Sequence, residues 1–132
     1  MTREKRDTDG RGRRDAAPDS FLPLTPLAFE VLLSVAGGAR HGYAILQDME
    51  ERSGGAMAPH AGTLYRVIFR LLDQGLLEET DDRPARARDD ARRRYYEMTA
   101  LGRRVAEAEA ARLADGVATA RARKLLRRPR PA

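Results

Sequence analysis

The middle of the chain is divided into short segments by glycines, and this division limits what it can fold into. Gly37-Gly38, Gly54-Gly55 and Gly75 each follow a stretch in which apolar residues recur every three or four positions. Such spacing predicts three short helices, because glycine favours the backbone conformation that ends a helix. Three helices of this length bury too little apolar surface for a stable core. The chain therefore needs a further element to cover them.

The three predicted helices each have an apolar side. The first begins at Thr25-Pro26, where threonine caps the helix and proline occupies the first position. The second spans about 41–52 and the third about 61–74. The apolar residues at helical spacing are Leu27, Val31, Leu32 and Val35 in the first helix and Tyr43, Ile45, Leu46 and Met49 in the second. In the third, Leu64, Ile68, Leu71 and Leu72 are expected to face inward.

Two short strands are predicted to supply the cover. Residues 76–80 and 93–98 have strand character, with Tyr96 and Met98 on one face, and the charged segment between them contains Pro84. A long helix over 99–126 follows. The order helix, helix, helix, strand, loop, strand, helix is that of a winged helix-turn-helix. We therefore expect a mainly α fold with a small β-hairpin, with domain limits at 21–98 for the winged helix and 99–126 for a dimerisation helix.

The third predicted helix fits a DNA-recognition helix over 62–74. Its N-terminal residues would meet base edges in the major groove. Thr63 can bond a phosphate or touch a thymine methyl group, Arg66 can bind guanine or phosphate, and Gly62 permits close backbone approach. Arg70 lies on the same side, with Tyr65 beside it. The alternative is an ordinary surface helix, but the order of elements favours DNA recognition.

The loop between the strands is placed like a wing. Residues 81–94 contain six arginines and four aspartates. Arginine is favoured along the DNA backbone and in the minor groove, so we expect one or two of these side chains to contact DNA. A solvated charged loop stays open as the alternative, because the aspartates dilute the field. The candidates for DNA contact are Arg86, Arg88 and Arg92.

Charge is unevenly distributed along the chain. Residues 21–80 hold four basic and seven acidic side chains, whereas residues 95–132 hold nine basic and four acidic ones. A protein that coats DNA would be basic throughout. This pattern indicates phosphate contact at a few sites. The basic end at 127–132 either adds non-specific phosphate attraction or is a solvated terminus.

Composition excludes several other classes of protein. The chain has no cysteine, and His41 and His60 have no ligand-like neighbours, so we expect neither a metal nor a cofactor. It contains no nucleophile–base pair, no carboxylate pair in a plausible cleft and no phosphate-binding loop, which argues against an enzyme. No apolar run reaches the roughly 20 residues of a membrane span. Residues 1–20 resemble a disordered tail rather than a signal peptide, so a cytoplasmic protein is expected.

The last predicted helix offers a seam for dimerisation. Its small and apolar residues alternate at four and three positions, as in a helix–helix interface. A helix folded back on its own domain is the alternative, and Leu101 and Val105 are expected to pack on the winged helix. The strip from Phe21 to Leu24 is expected to lie against the domain or a partner. The residues assigned to dimerisation are Phe21, Leu22, Ala106, Ala110, Leu113, Val117 and Ala120.

Five short motifs occur together in the order of a known family. They are Leu24-Thr25-Pro26-Leu27, His41-Gly42-Tyr43, Gly62-Thr63-Leu64-Tyr65-Arg66, Leu71-Leu72-Asp73-Gln74-Gly75-Leu76-Leu77 and Arg93-Arg94-Tyr95-Tyr96-Glu97-Met98-Thr99. Over about residues 22–113 the chain resembles the PadR family of bacterial transcription regulators. Its single C-terminal helix is similar to that of the short subgroup.

The resemblance implies a homodimeric regulator, usually a repressor, that binds double-stranded DNA at a palindromic operator. An effector, if there is one, would act by changing the angle between the two DNA-binding heads. The resemblance also implies that Tyr43, Thr63, Tyr65 and Arg66 lie at the DNA face, with His41 near the cap of the second helix and assigned to the same face.

Two departures from the family pattern bear on function. His60-Ala61 stands where many members have Ser-Pro, so a weaker start of the third helix is expected. The chain lacks tryptophan, so the binding of flat aromatic drugs between tryptophans does not carry over. The alternative function is a winged helix that binds another protein without specific DNA binding.

Overall fold

The computed structural model describes residues 17–81 and 93–127, and these form a winged helix followed by a long helix. A short 3-10 turn precedes the first helix. The elements are the turn Pro18–Phe21, helices α1 (Pro26–Ser34), α2 (Gly42–Ser53), α3 (Ala61–Asp73) and α4 (Ala100–Ala122), and strands β1 (Arg40–His41), β2 (Leu77–Thr80) and β3 (Tyr95–Met98). The predicted fold class, mainly helical with a small antiparallel sheet, is confirmed.

The sheet has three strands rather than the two that the sequence predicts. Strand β3 lies in the centre and pairs antiparallel with β1 on one side and β2 on the other. Strand β1 has only two residues, which is too short to show an alternating pattern in the sequence. It forms because its backbone pairs with the free edge of β3. As the central strand, β3 buries both Tyr95 and Tyr96.

The core lies between the first three helices, the sheet and the start of α4. The Thr25 hydroxyl accepts the Ala28 amide at 3.1 Å, which confirms the predicted cap of α1. Most side chains of the three predicted apolar sets are buried, while Leu27, Leu46 and Leu72 are half-buried. Tyr43 is the exception, at 56% exposed. It belongs to the apolar set of the second helix but lies two positions from Ile45, and therefore on nearly the opposite side of α2.

The end of α3 turns the chain directly into the sheet. Gly75 takes a left-handed φ of 79°. The Leu76 amide donates to the Leu71 carbonyl at 2.9 Å, and the Gly75 amide donates to the Leu72 carbonyl at 3.1 Å. This is the paired hydrogen bonding of a Schellman motif, which satisfies carbonyl groups at a helix end. It places Leu76 in the core and starts β2 at the next residue.

Thr99 joins that turn to the long helix. Its hydroxyl donates to the Gly75 carbonyl at 2.7 Å and accepts the Gly102 amide at 2.9 Å, which caps α4. The Thr99 amide also donates to the Leu76 carbonyl at 3.1 Å. Gly102 packs so closely that a Cβ atom there would overlap the Leu76 carbonyl oxygen. The end of α3 and the start of α4 are therefore held as one unit.

The N-terminal strip is fastened to α4 by a buried carboxylate. The Glu109 carboxylate accepts the Leu24 amide at 3.1 Å and two hydrogen bonds from Arg112, at 2.7 and 3.0 Å. Phe21 and Leu22 pack against the core of their own chain, so of the two positions expected for the strip, the domain is the one observed. The folded region begins before residue 21, since the 3-10 turn includes Pro18.

Beyond Glu109, α4 leaves the body of the domain. Leu101 and Val105 are buried as predicted, and Ala106 is half-buried against the core. From Ala110 to the end of the helix every residue is exposed except the half-buried Ala120. The helix ends at Ala122, four residues before the predicted end, and Lys124 then takes a left-handed φ of 66°. Residues 128–132 lie outside the described part of the chain.

The joint at Thr99 predicts a loss of stability on substitution. Thr99→Val keeps the shape of the side chain but removes a helix cap and a hydrogen bond to the Gly75 carbonyl. We therefore expect the free energy of unfolding to fall by about 1–3 kcal/mol. Urea unfolding followed by circular dichroism measures the change. The matched control is Thr119→Val on the exposed part of α4. Equal stabilities of the two variants would contradict the joint.

The Glu109 site predicts a pH-dependent contribution to stability. The hydrogen bond from Arg112 lowers the pKa of the Glu109 carboxyl below its ordinary value of 4.5, burial opposes this, and the Leu24 amide lowers it further. Because the folded pKa is the lower one, the stabilisation is fully present above pH 4.5 and is lost as the pH falls through the folded pKa.

We therefore expect Glu109→Gln to lower the free energy of unfolding by about 1–3 kcal/mol at pH 7. The difference from the wild type should shrink as the pH falls below about 4.5. Urea unfolding at a series of pH values measures it, with the exposed Glu107→Gln as the matched control. A difference that stays constant over this pH range would show that the charge of Glu109 is not what holds the strip.

Candidate nucleic-acid interface

Helix α3 has one buried side and one solvent-facing side. Leu64, Ile68 and Leu71 are buried against the core. The exposed positions follow at helical spacing and include two arginines. They are Ala61, Gly62, Arg66, Phe69, Arg70 and Asp73.

Two of the four basic side chains in residues 21–80, the arginines of α3, are not paired with an acidic side chain in the described part of the chain. Residues 21–80 contain four basic side chains, and two of them are engaged by acids. Arg52 bonds Asp48 at 2.7 Å and also Glu30, and Arg40 lies 3.8 Å from Asp48. Among the described residues, Arg66 and Arg70 have no ion-pair partner. The unpaired positive charges of residues 21–80 therefore lie together on the exposed face of α3.

The start of α3 is open. His60 occupies the cap position with extended backbone, and its side chain makes no capping hydrogen bond, as the sequence predicts for a histidine there. Gly62 is exposed, with no other atom within 4 Å of the position a Cβ would take, and Thr63 is half-buried. Backbone amides in the first helical turn are thus free of a side-chain cap. An uncapped helix N-terminus favours an anionic group such as phosphate.

Tyr65 is held between α2 and α3 rather than standing free beside the arginines. Its ring is half-buried and packs against the core. Its hydroxyl lies directly over Gly42, where a Cβ atom would overlap the ring. Glycine at the first position of α2 is therefore what lets Tyr65 fit.

His41 links α2 to the base of the wing. It caps α2, as expected from its position, with Nδ1 accepting the Ala44 amide at 3.1 Å. Its Nε2 lies 2.9 Å from the Arg93 guanidinium, and its ring meets the Tyr95 ring edge-on at 5.3 Å. The histidine thus has a structural role in this chain, and it places Arg93 beside the start of α2.

These groups surround an open hollow between α3, the start of α2 and strand β3. The hollow has a volume of about 460 Å³. Arg94 also pairs with Glu79 at 3.4 Å. Burial raises the pKa of the Tyr96 phenol, and Tyr65 and Glu79 add to this. The lining residues are His41, Gly42, Tyr43, Tyr65, Phe69, Arg93, Arg94 and Tyr96.

The structure brings most of the predicted DNA-contacting residues to one side of the molecule. His41, Tyr43 and Tyr65 line the hollow, and Arg66 and Arg70 stand on the exposed face of α3. The wing candidates Arg86, Arg88 and Arg92 lie outside the described residues. Phe69 was not assigned a role from the sequence, although its position three residues after Arg66 would place it on the same face.

No described helix has both the length and the apolar character that crossing a membrane requires.

The fold is similar to those of several solved structures. A PadR family regulator from Eggerthella lenta DSM 2243 is 31% identical, with a TM-score of 0.52 over 70% of this chain and 79% of that one. RosR from H. salinarum is 26% identical, with a TM-score of 0.54 over 75% of this chain and 79% of that one.

A more distant structure shows the fold alone. Bacillus subtilis PadR in complex with operator DNA is 17% identical, with a TM-score of 0.52 over 83% of this chain and 52% of that one.

A comparison with curated proteins gave no match. The sequence does match the model of a protein family. Residues 31–108 match the family described as Transcriptional regulator PadR-like family. This match covers more than half of the 132 residues and includes α2, α3, the strands and the start of α4. The chain therefore belongs to the PadR-like family of transcriptional regulators.

Proposed function

We propose that this protein is a sequence-specific DNA-binding repressor that acts as a homodimer on a palindromic operator. The observation that carries the proposal is the exposed face of α3, where Arg66 and Arg70 stand without partners among the described residues. Membership of a family of transcriptional regulators and the likeness to a PadR structure bound to operator DNA support it. The function is binding rather than catalysis, in the cytoplasm of a bacterium.

The arginines and the start of α3 have separate roles in this proposal. Arg66 lies one turn into the helix, where it contacts a guanine edge in the major groove. Arg70 lies one turn further and binds a phosphate. The open amides near Gly62 and Thr63 receive another phosphate, since a helix N-terminus attracts anions.

The hollow and the wing follow the DNA backbone beside α3. In this proposal the DNA backbone passes over Tyr43 and Arg93, which line the hollow together with Tyr65 and His41. The wing arginines Arg86, Arg88 and Arg92 contact the backbone or the minor groove further along. These contacts set the position of α3, while the bases are read by α3 itself.

Pairing of α4 with its copy gives the dimer. Leu113 and Val117 are 41% and 43% exposed on the part of α4 that projects from the domain. Ala110 is exposed beside them, and Ala106 and Ala120 continue the same seam. Small side chains let two helices approach closely, and a two-fold axis doubles the number of base pairs read. Phe21 and Leu22 pack on their own chain and support the seam from behind.

A second candidate function is a winged helix that binds a protein partner without specific DNA binding. The acidic balance of residues 21–80, with seven acidic and four basic side chains, favours it. A protein partner captured in nuclease-treated extract, together with equal binding to all DNA sequences, would support this function over the first.

Substitution of Arg66 tests the reading face. A DNA duplex selected from a random-sequence pool by the full chain serves as the specific probe, and a scrambled duplex as the non-specific one. Because a bidentate arginine–guanine contact contributes about 1–3 kcal/mol of discrimination, Arg66→Ala should reduce the specific-to-non-specific affinity ratio by about 10- to 100-fold. Fluorescence anisotropy at fixed salt measures the ratio.

The control is Arg121→Ala, which removes the same charge near the far end of α4. It should leave the affinity ratio unchanged. Equal effects of the two substitutions would mean that net charge, and not the α3 face, decides binding.

Substitution of Val117 tests the dimer. Val117→Glu places a charge in the proposed seam, where burying it without a partner is costly, so the variant should sediment as a monomer at concentrations where the wild type is a dimer. It should also bind a half-site and a full palindrome with similar affinity. Ala118→Glu, one position away from the seam, is the control and should stay dimeric. A monomeric wild type would refute this part of the proposal.

A further inference from the structure

Phe69 is an apolar ring on the otherwise polar side of α3. It is 52% exposed and lies between Arg66 and Arg70. Tyr43, 56% exposed, borders the same hollow. The two rings line one hollow beside α3, and α3 also carries the exposed Arg66 and Arg70. Phe69 is therefore an exposed apolar group on the face that the proposed function turns toward DNA.

The Phe69 ring is supported from behind. The Tyr65 ring lies 5.9 Å away at an interplanar angle of 41°. Tyr65 itself is fixed, because its hydroxyl fits over Gly42 at the start of α2. Phe69 is therefore backed by a rigid partner before any ligand arrives, and little side-chain freedom is lost on binding.

The major groove of DNA offers one apolar group, the C5-methyl group of thymine. The other groups on the base edges are hydrogen-bond donors and acceptors, which a phenyl ring cannot satisfy. We propose that Phe69 contacts the C5-methyl group of a thymine in each operator half-site and thereby selects thymine at that position. This inference rests on the proposed DNA-binding function.

The helix geometry limits where that thymine lies. Phe69 follows Arg66 by three residues, which is about 4.5 Å along the helix axis. Base pairs are stacked about 3.4 Å apart. The thymine should therefore lie within about two base pairs of the base that Arg66 contacts, and the two contacts form one short recognition element.

Replacement of thymine by deoxyuridine tests the contact, because uracil lacks only the methyl group. The probe is a duplex selected from a random-sequence pool by the full chain, with each thymine replaced in turn. At one symmetric pair of positions, loss of a methyl group should weaken wild-type binding by about fourfold, and loss of both by about 15-fold. Phe69→Ala should bind the thymine and uracil duplexes equally well.

Two further variants serve as controls. Phe69→Leu keeps an apolar side chain and should still prefer thymine. Leu33→Ala removes another exposed apolar residue, 39% exposed on α1, and should keep the full methyl effect. Circular dichroism of Phe69→Ala checks that the variant folds.

The outcomes separate the inference from the function on which it rests. Selective binding by the wild type that ignores every uracil replacement would overturn the role of Phe69 and leave the DNA-binding function standing. The same would hold if Phe69→Ala kept the preference for thymine. Failure of the wild type to select any duplex from the pool would overturn both.

Discussion

The arrangement of the molecule depends on the hydrogen bonds of a single threonine side chain. The Thr99 hydroxyl bonds the turn that ends α3 and the first amides of α4 at the same time. Gly102 allows the backbone of α4 to lie against Leu76. Because strands β2 and β3 are continuous with these two ends, the sheet is fixed by the same joint. Helices α3 and α4 therefore cannot change their relative orientation without breaking this joint.

The arginines of residues 21–80 fall into two groups, those paired with acidic side chains and those exposed on α3. Arg52 of α2 pairs with Glu30 of α1 and with Asp48 of its own helix, and Arg40 of β1 also pairs with Asp48. Arg66 and Arg70 are left to face solvent on α3. An acidic body repels the DNA backbone in general, so attachment depends on a few well-placed contacts. This arrangement favours discrimination between sequences over tight binding to any DNA.

Helical periodicity and helix-ending glycines were enough to predict the three helices and the buried side of α3. Strand β1 could not be predicted, because two residues carry no periodic signal and their pairing depends on tertiary contacts. Tyr43 belongs to the apolar set of the second helix, and only the packing of the folded chain shows that its ring is exposed. Phe69 has no role in the sequence analysis, although its position three residues after Arg66 places it on the same face of α3. The family motifs indicate which segments form the candidate site. The hollow could not be predicted from them, because its lining residues come together only in the folded chain.

The hydrogen bond from Leu24 to Glu109 joins residues 85 positions apart in the chain. It crosses the limit that the sequence predicts between residues 98 and 99, because Leu24 precedes this limit and Glu109 follows it. A fragment ending at Met98 would lack the carboxylate that holds the N-terminal strip, and also Leu101 and Val105 from the core. The long helix is therefore part of the folding unit that presents α3. A change in the first half of α4 therefore also affects the folding of the domain that carries α3.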